Sequence, residues 1–320
     1  MKKSTAKELE GLVKQYGLEP NIRRHISLLG YSAVFSGYKK YLPEFLGFTY
    51  NAFGVIWLGD VCWSMVNQDD IASKVRPLLK DEERLNAILS KAMAVFVETR
   101  NEFQSFSKRK ASAEGLFGFL DVYERYYGSL GVYNVLYRGM TGDDLGVSSR
   151  LENRMGVERN EVSALYPKIE RFLSSAAKKV GEEIGVDGEL TLNSVVSEAR
   201  EYLRKEKLPR GLVSDIEKRK GHCFYLFVFE TGNEYILSDK AGITQLFKEV
   251  FEPPSVGAGS VKGVSAYPGL VRGKAKIVPL DCDPASLEIE DGGVIIAVHT
   301  NPDYLPLLKK AVAIVTDEGG

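Results

Sequence analysis

After Asp81, side chains suited to a core recur every three or four positions. Leu85, Ile88, Leu89, Ala92, Phe96, Thr99, Phe103 and Phe106 share one face of a helix. Asp81 stands where an N-cap belongs, and Glu82 and Glu83 put negative charge at the positive end of the helix dipole. A second stripe, Val162, Leu165, Ile169, Phe172, Leu173, Ala176 and Val180, predicts a helix from near Asn160, with Pro167 kinking it or resetting its start. A third helix is expected over Asn193 to Lys205, carrying Val195, Val196, Ala199 and Leu203. Gly185 to Gly188 and Pro209 to Gly211 punctuate these segments. Residues 1–215 are therefore expected to form a helical domain.

The period then changes. His222 to Phe229 is an uncharged aromatic and β-branched run, Glu230-Thr231-Gly232-Asn233 is a turn signal, and Glu234 to Leu237 returns as a second strand. A helix is expected over Lys240 to Val250, so residues 216–250 read as a β-hairpin plus helix connector. Residues 251–262 read as a linker. Pro253 and Pro254 stiffen its start, and Gly257 and Gly259 loosen its end, as at a hinge or a plain domain boundary. Beyond it, short strands are expected at Val264 to Tyr267, Lys274 to Val278, Val294 to Val298 and Ala313 to Val315, with a helix over Tyr304 to Ala311. The fold class expected is α+β and multidomain.

Composition narrows the classes. Hydrophobic residues make up 44% and charged residues 27%, the values of an ordinary globular protein. A formal net charge of −1 gives no footprint for nucleic acid. Cys62, Cys223 and Cys282 are far apart and odd in number, with neither a disulfide framework nor zinc spacing, which fits a reducing cytoplasm. The polar start of the chain lacks the apolar core of a signal peptide. Phe45 to Gly59 is uncharged and aromatic, but its 15 residues fall short of the about 20 that a membrane span needs, so a buried core helix is expected and no membrane partner.

The last stretch carries the sharpest signal. Tyr267-Pro268-Gly269 and Gly273, the Gly-Gly-Val-Ile-Ile run, Thr300-Asn301-Pro302-Asp303, a helix and Ala-Ile-Val-Thr-Asp-Glu-Gly-Gly follow one another in order. This series resembles the mobile phosphohistidine (swivelling) domain of the phosphoenolpyruvate-utilising enzymes, the phosphoenolpyruvate synthase and pyruvate phosphate dikinase type. The resemblance implies an incomplete swivelling β/β/α domain over 263–320. It also implies phosphotransfer through a histidine that accepts phosphate from ATP or phosphoenolpyruvate, with Mg²⁺, at a partner such as an ATP-grasp domain or chain. Thr316, Asp317, Gly319 and Gly320 would border the phosphoryl group. The carrier histidine is expected just past Gly320, so residues 1–320 alone are expected to be inactive in phosphotransfer and to hold no cofactor. An acidic-Gly-Gly turn followed by a helix offers backbone N–H groups to an anion, although it serves equally as a plain strand-to-helix turn. The segment Arg219 to Lys248 is similar to a connector of stand-alone relatives of this family.

Other residues read more plainly. His299, with Thr300 and Asp303 after it, stands at a strand exit and can line the cleft as a solvent-edge residue rather than as the carrier. His25 and His222 read as surface and structural residues, and three scattered histidines make no metal cluster. Lys218-Arg219-Lys220 reads as a solvated face more readily than as a phosphate site. Tyr123, Tyr126, Tyr127, Tyr133 and Tyr137, with Arg125, Arg138, Gly128 and Gly131, read as tyrosines packed between helices, a ligand groove being the alternative. No Walker loop, ATP-grasp signature or strand-helix barrel series is present. A second function class thus stays open, a non-catalytic binding or regulatory protein that uses the helical domain to hold a partner.

Overall fold

A computed structural model describes residues 2–59, 61–140, 147–205, 207, 209–251, 269–278, 287–297 and 304–316. The chain divides into two compact units, Met1–Glu252 and Pro253–Gly320. In the first, the elements run β1 (Lys2–Lys3), α1 (Ala6–Gln15), β2 (Glu19–Arg24), α2 (Leu28–Leu46), β3 (Ala52–Leu58), β4 (Val61–Val66), α3 (Gln68–Leu79), α4 (Glu82–Phe106) and α5 (Ala113–Gly139). They continue α6 (Ser149–Ser163), α7 (Tyr166–Glu183), α8 (Gly188–Leu192), α9 (Val196–Lys205), α10 (Arg210–Glu217), β5 (His222–Val228), β6 (Asn233–Leu237) and α11 (Lys240–Phe251). The second unit holds β7 (Ala275–Val278), β8 (Gly293–Ala297), α12 (Leu305–Leu308) and β9 (Ala311–Thr316).

The six strands of the first unit form one sheet in the order β1-β6-β5-β3-β4-β2. Only β1 and β6 pair in parallel; the other neighbours are antiparallel. Both sheet faces are covered. Phe53, Val55, Trp57 and Tyr225 face a core shared with α2, α4 and α5. Ala52, Ile56, Phe224 and Leu226 face a smaller core with Leu9 and Val13 of α1 and Ile243 and Leu246 of α11. This alternation is why β3, and β5 after His222, carry no charged residue: a strand covered on both faces has no solvent side to make polar.

Three expectations are corrected by these elements. The region 1–215 is not wholly helical, since β1 to β4 lie within it. The buried helix expected over Phe45 to Gly59 is instead the end of α2, a turn and β3. Gly47 stops α2 in the left-handed conformation (φ 85°), and its N–H bonds to the Pro43 carbonyl, as a helix C-terminus requires. Nor is the 216–250 hairpin a separate connector. β5 is clasped between β6 and β3, with Trp57 opposite Cys223 and Ile56 opposite Phe224, so it lies inside the first unit's sheet.

The expected helices meet the structure more closely. Asp81 caps α4 by accepting from the Arg84 N–H at 3.0 Å, and the buried face of α4 is the stripe Leu85 to Phe103. Pro167 resets a helix start, standing in the first turn of α7. In the second unit the helix is only α12, and β9 begins at Ala311, two residues before the expected strand. The expected strand at Val264 to Tyr267 and most of the 251–262 linker lie outside the described residues.

Candidate functional site

In the second unit β7, β8 and β9 are parallel, and after a register shift between Gly293 and Val294 the pairing sets Val278, Ala297 and Thr316 side by side at their carboxyl ends. Ligands of open parallel sheets bind outside this edge. Thr316 is half-buried there. Gly273 allows the segment before β7 to come against the backbone before β8: a Cβ on it would lie 2.2 Å from the Gly292 carbonyl oxygen. The other residues expected at this site, His299, Thr300, Asp303, Asp317, Gly319 and Gly320, lie outside the described residues, as do Pro253, Pro254, Gly257 and Gly259 of the expected hinge.

One face of this sheet is covered by Tyr304 and Leu307, which pack with Val278, Ile289, Ile295 and Ala297. On the other face Ile277, Ile296 and Val315 form a row across the three strands and are 70%, 36% and 54% exposed. Parallel sheets are ordinarily covered on both faces.

In the first unit the tyrosine segment is core. Tyr123 and Tyr127 both donate from their hydroxyls to one oxygen of Glu170, at 2.5 and 2.6 Å. Tyr126 donates to the Val162 carbonyl at 3.1 Å, and Tyr133 to Glu158 at 3.0 Å. Burial raises the Glu170 carboxyl above its ordinary value, while the two tyrosine donors pull it back. Glu170 lines a cleft of about 420 Å³ with His25, Arg171, Arg219, Lys220 and Cys223. Such a cleft can hold a small polar molecule, and a carboxyl that keeps its proton beyond the usual range can donate it.

Sequence reading placed Arg219 on a solvated face, and the structure corrects this. Arg219 is 3% exposed and grips Glu198 with both terminal nitrogens, at 2.6 and 2.8 Å. Glu198 also accepts from the Val195 N–H at 3.0 Å, so the pair ties α9 to the entry of β5. The neighbours Lys218 and Lys220 remain exposed. His25 is exposed after β2, and His222 is half-buried opposite Leu58. The Cys62 and Cys223 thiols are buried, which pushes them up to about 11 and about 12 and away from thiolate reactivity. Among the described residues no group of three His, Cys, Asp or Glu could hold a metal ion, and no helix is long and apolar enough to cross a membrane.

No family model matches the chain, and no solved structure matches it. Parts of it are similar to archaeal proteins described as probable phosphoenolpyruvate synthases. That of Staphylothermus marinus is 47% identical over 60 residues, 19% of this chain and 7% of the relative. That of Archaeoglobus fulgidus is 34% identical over 100 residues, 29% of this chain and 13% of the relative. That of Pyrococcus abyssi is 28% identical over 152 residues, 44% of this chain and 17% of the relative. The chain thus spans less than a fifth of the length of these curated relatives in the matched parts. These similarities support kinship with the phosphoenolpyruvate-utilising enzymes.

Proposed function

We propose that residues 263–320 belong to the phosphohistidine-carrying mobile domain of a phosphoenolpyruvate-utilising phosphotransferase, of the kinase or dikinase type. Pro253, Pro254, Gly257 and Gly259 would be its hinge. The observation that carries this reading is the 47% identity over 60 residues to a probable phosphoenolpyruvate synthase, a length close to the 58 residues of 263–320. The parallel sheet with its carboxyl ends aligned at Thr316 supports it, because a turn after β9 would then face a ligand at the edge used by open sheets.

In this reading a neutral imidazole nitrogen attacks the phosphorus of ATP or phosphoenolpyruvate, the bond from phosphorus to the leaving oxygen breaks, and the other ring nitrogen gives up its proton. Histidine suits the task because its unperturbed pKa leaves it largely neutral near pH 7. Thr316, Asp317, Gly319 and Gly320 border the phosphoryl group, with the hydroxyl and the turn N–H groups donating to its oxygens. His299, Thr300 and Asp303 belong to the cleft wall. The donor site and its Mg²⁺ belong to an ATP-grasp domain or chain that works with this one in the cytoplasm. No residue described here is assigned to that metal.

The test begins with the coding frame after codon 320, read and expressed as it stands. The expected result is a histidine within a few residues of Gly320, and acid-labile label on that residue when the product meets labelled phosphoenolpyruvate or ATP. His299→Ala keeps the label, and replacing the later histidine removes it. Label carried by His299, or a stop codon directly after codon 320, overturns the reading. A stop there would favour a non-catalytic binding or regulatory role, for which the polar cleft of the first unit gives a place.

A further inference from the structure

β2, α3, α5 and α6 enclose a second cavity of about 420 Å³, which takes in Tyr137 and Arg138 of the tyrosine-rich segment. Four arginines line it: Arg24 from β2, Arg76 from α3, Arg138 from α5 and Arg159 from α6. Asp69 is the one carboxylate among its described lining residues. The arrangement follows from helical spacing. Gln68, Asp69, Ala72 and Arg76 share one face of α3, and Asn134, Tyr137 and Arg138 share one face of α5.

The cations are held by a polar frame. The Gln68 amide donates to the Asn21 side-chain oxygen at 2.6 Å and accepts from Arg138 at 3.0 Å. Arg159 reaches the Asn134 side-chain oxygen at 3.5 Å and lies over the Tyr137 ring, 5.1 Å from its centroid. Arg138 lies over the Tyr50 ring at 5.9 Å. A guanidinium on an aromatic face keeps its N–H edge available for an oxyanion. Among the described residues neither Arg76 nor Arg159 takes part in an ion pair, and both are exposed. The first turn of α3 adds the positive end of its dipole at Gln68 and Asp69. An anion bound here would meet Arg76 and Arg159, which no described carboxylate pairs, beside the Arg24 and Arg138 side chains.

We propose that this four-arginine cavity binds a small, multiply charged oxyanion of the phosphate type. Its size suits a phosphorylated small molecule rather than a macromolecule. The inference is independent of the phosphotransfer reading, and either can fail without the other.

The probe is inorganic pyrophosphate, titrated calorimetrically into the 1–320 chain in low-salt buffer, with citrate as the polycarboxylate comparator. Wild type is expected to bind pyrophosphate more tightly than citrate and to lose affinity as sodium chloride is added. Arg76→Gln and Arg159→Gln are each expected to weaken binding roughly tenfold. Asp69→Asn, which removes the opposing charge, is expected to strengthen it about threefold. Both arginines are exposed, so thermal unfolding of the two Gln variants should match wild type and separate lost binding from lost fold. No heat with wild type, equal affinity in the double Arg76→Gln/Arg159→Gln variant, tighter citrate binding, or weaker binding by Asp69→Asn would overturn the proposal.

Discussion

β5 and β8 look alike in sequence and differ in what surrounds them. His222 to Val228 is buried from its second residue onward, with α2 on one side of its sheet and α1 and α11 on the other. Gly293 to Ala297 is just as apolar, yet its strand buries Ile295 on one face and leaves Ile296 exposed on the other. An apolar strand states a demand for cover on both sides. Whether the demand is met depends on the layers the fold supplies, and the strand itself does not record that.

The largest expected effect falls on the covered sheet. Arg219→Ala leaves the Glu198 side chain, only 11% exposed, without its cation, and should destabilise the first unit by roughly 3 kcal/mol in urea unfolding. An effect under 1 kcal/mol would mean that the pair is not buried in solution. Next, the two faces of β8 can be set against each other. Ile295→Ala should cost about 2 kcal/mol or more, while Ile296→Thr should stay within about 0.5 kcal/mol. Hydrogen exchange of the β8 amides reads both, and equal losses would show that the open face is covered in solution.

A smaller effect comes from the tyrosine–glutamate contact. Tyr127→Phe removes one of two donors to Glu170 and should cost about 1–3 kcal/mol. The pH dependence has a defined sign. Burial holds the Glu170 carboxyl above its ordinary value of 4.5, so the native state keeps a proton that the unfolded state releases. Its contribution to stability is full below that value and falls as pH rises through the raised one. In Glu170→Gln the urea midpoint should lose this decline. A decline of unchanged size would assign it to other groups.

The helical stripes were legible because an amphipathic helix repeats its signal over many turns, as Leu85 to Phe103 does. Of the first unit's sheet the β5–β6 hairpin was legible and β3 was not, because β3 offers no alternation and follows an apolar helix end after a short turn. One signal was present: Leu58-Gly59-Asp60-Val61 sets two turn-forming residues between apolar runs, and Leu58 pairs with Val61 across them. Arg219 misled for a different reason. Its neighbours are solvated lysines, and its partner Glu198 lies 21 residues earlier in the chain, where local pattern does not reach. Of the four-arginine cavity the sequence showed only Tyr137 and Arg138, as part of a candidate ligand groove, since its cations come from four separate elements. At the second unit's candidate site only Thr316, at the end of β9, falls among the described residues; the motif order was readable there without any geometry.

The pairing of β3 with β5 also bears on synthesis. Leu58 meets His222, and Lys2 meets Tyr235, so the sheet closes only when the ribosome has made nearly the whole first unit. Until then β3 and β4 form a hairpin whose inner edge is open, the state most prone to pairing with a neighbouring chain. Long-range strand pairing of this kind folds slowly. A chain cut after α10 should therefore emerge as an aggregating hairpin with helices, whereas one that extends through β6 can close its sheet.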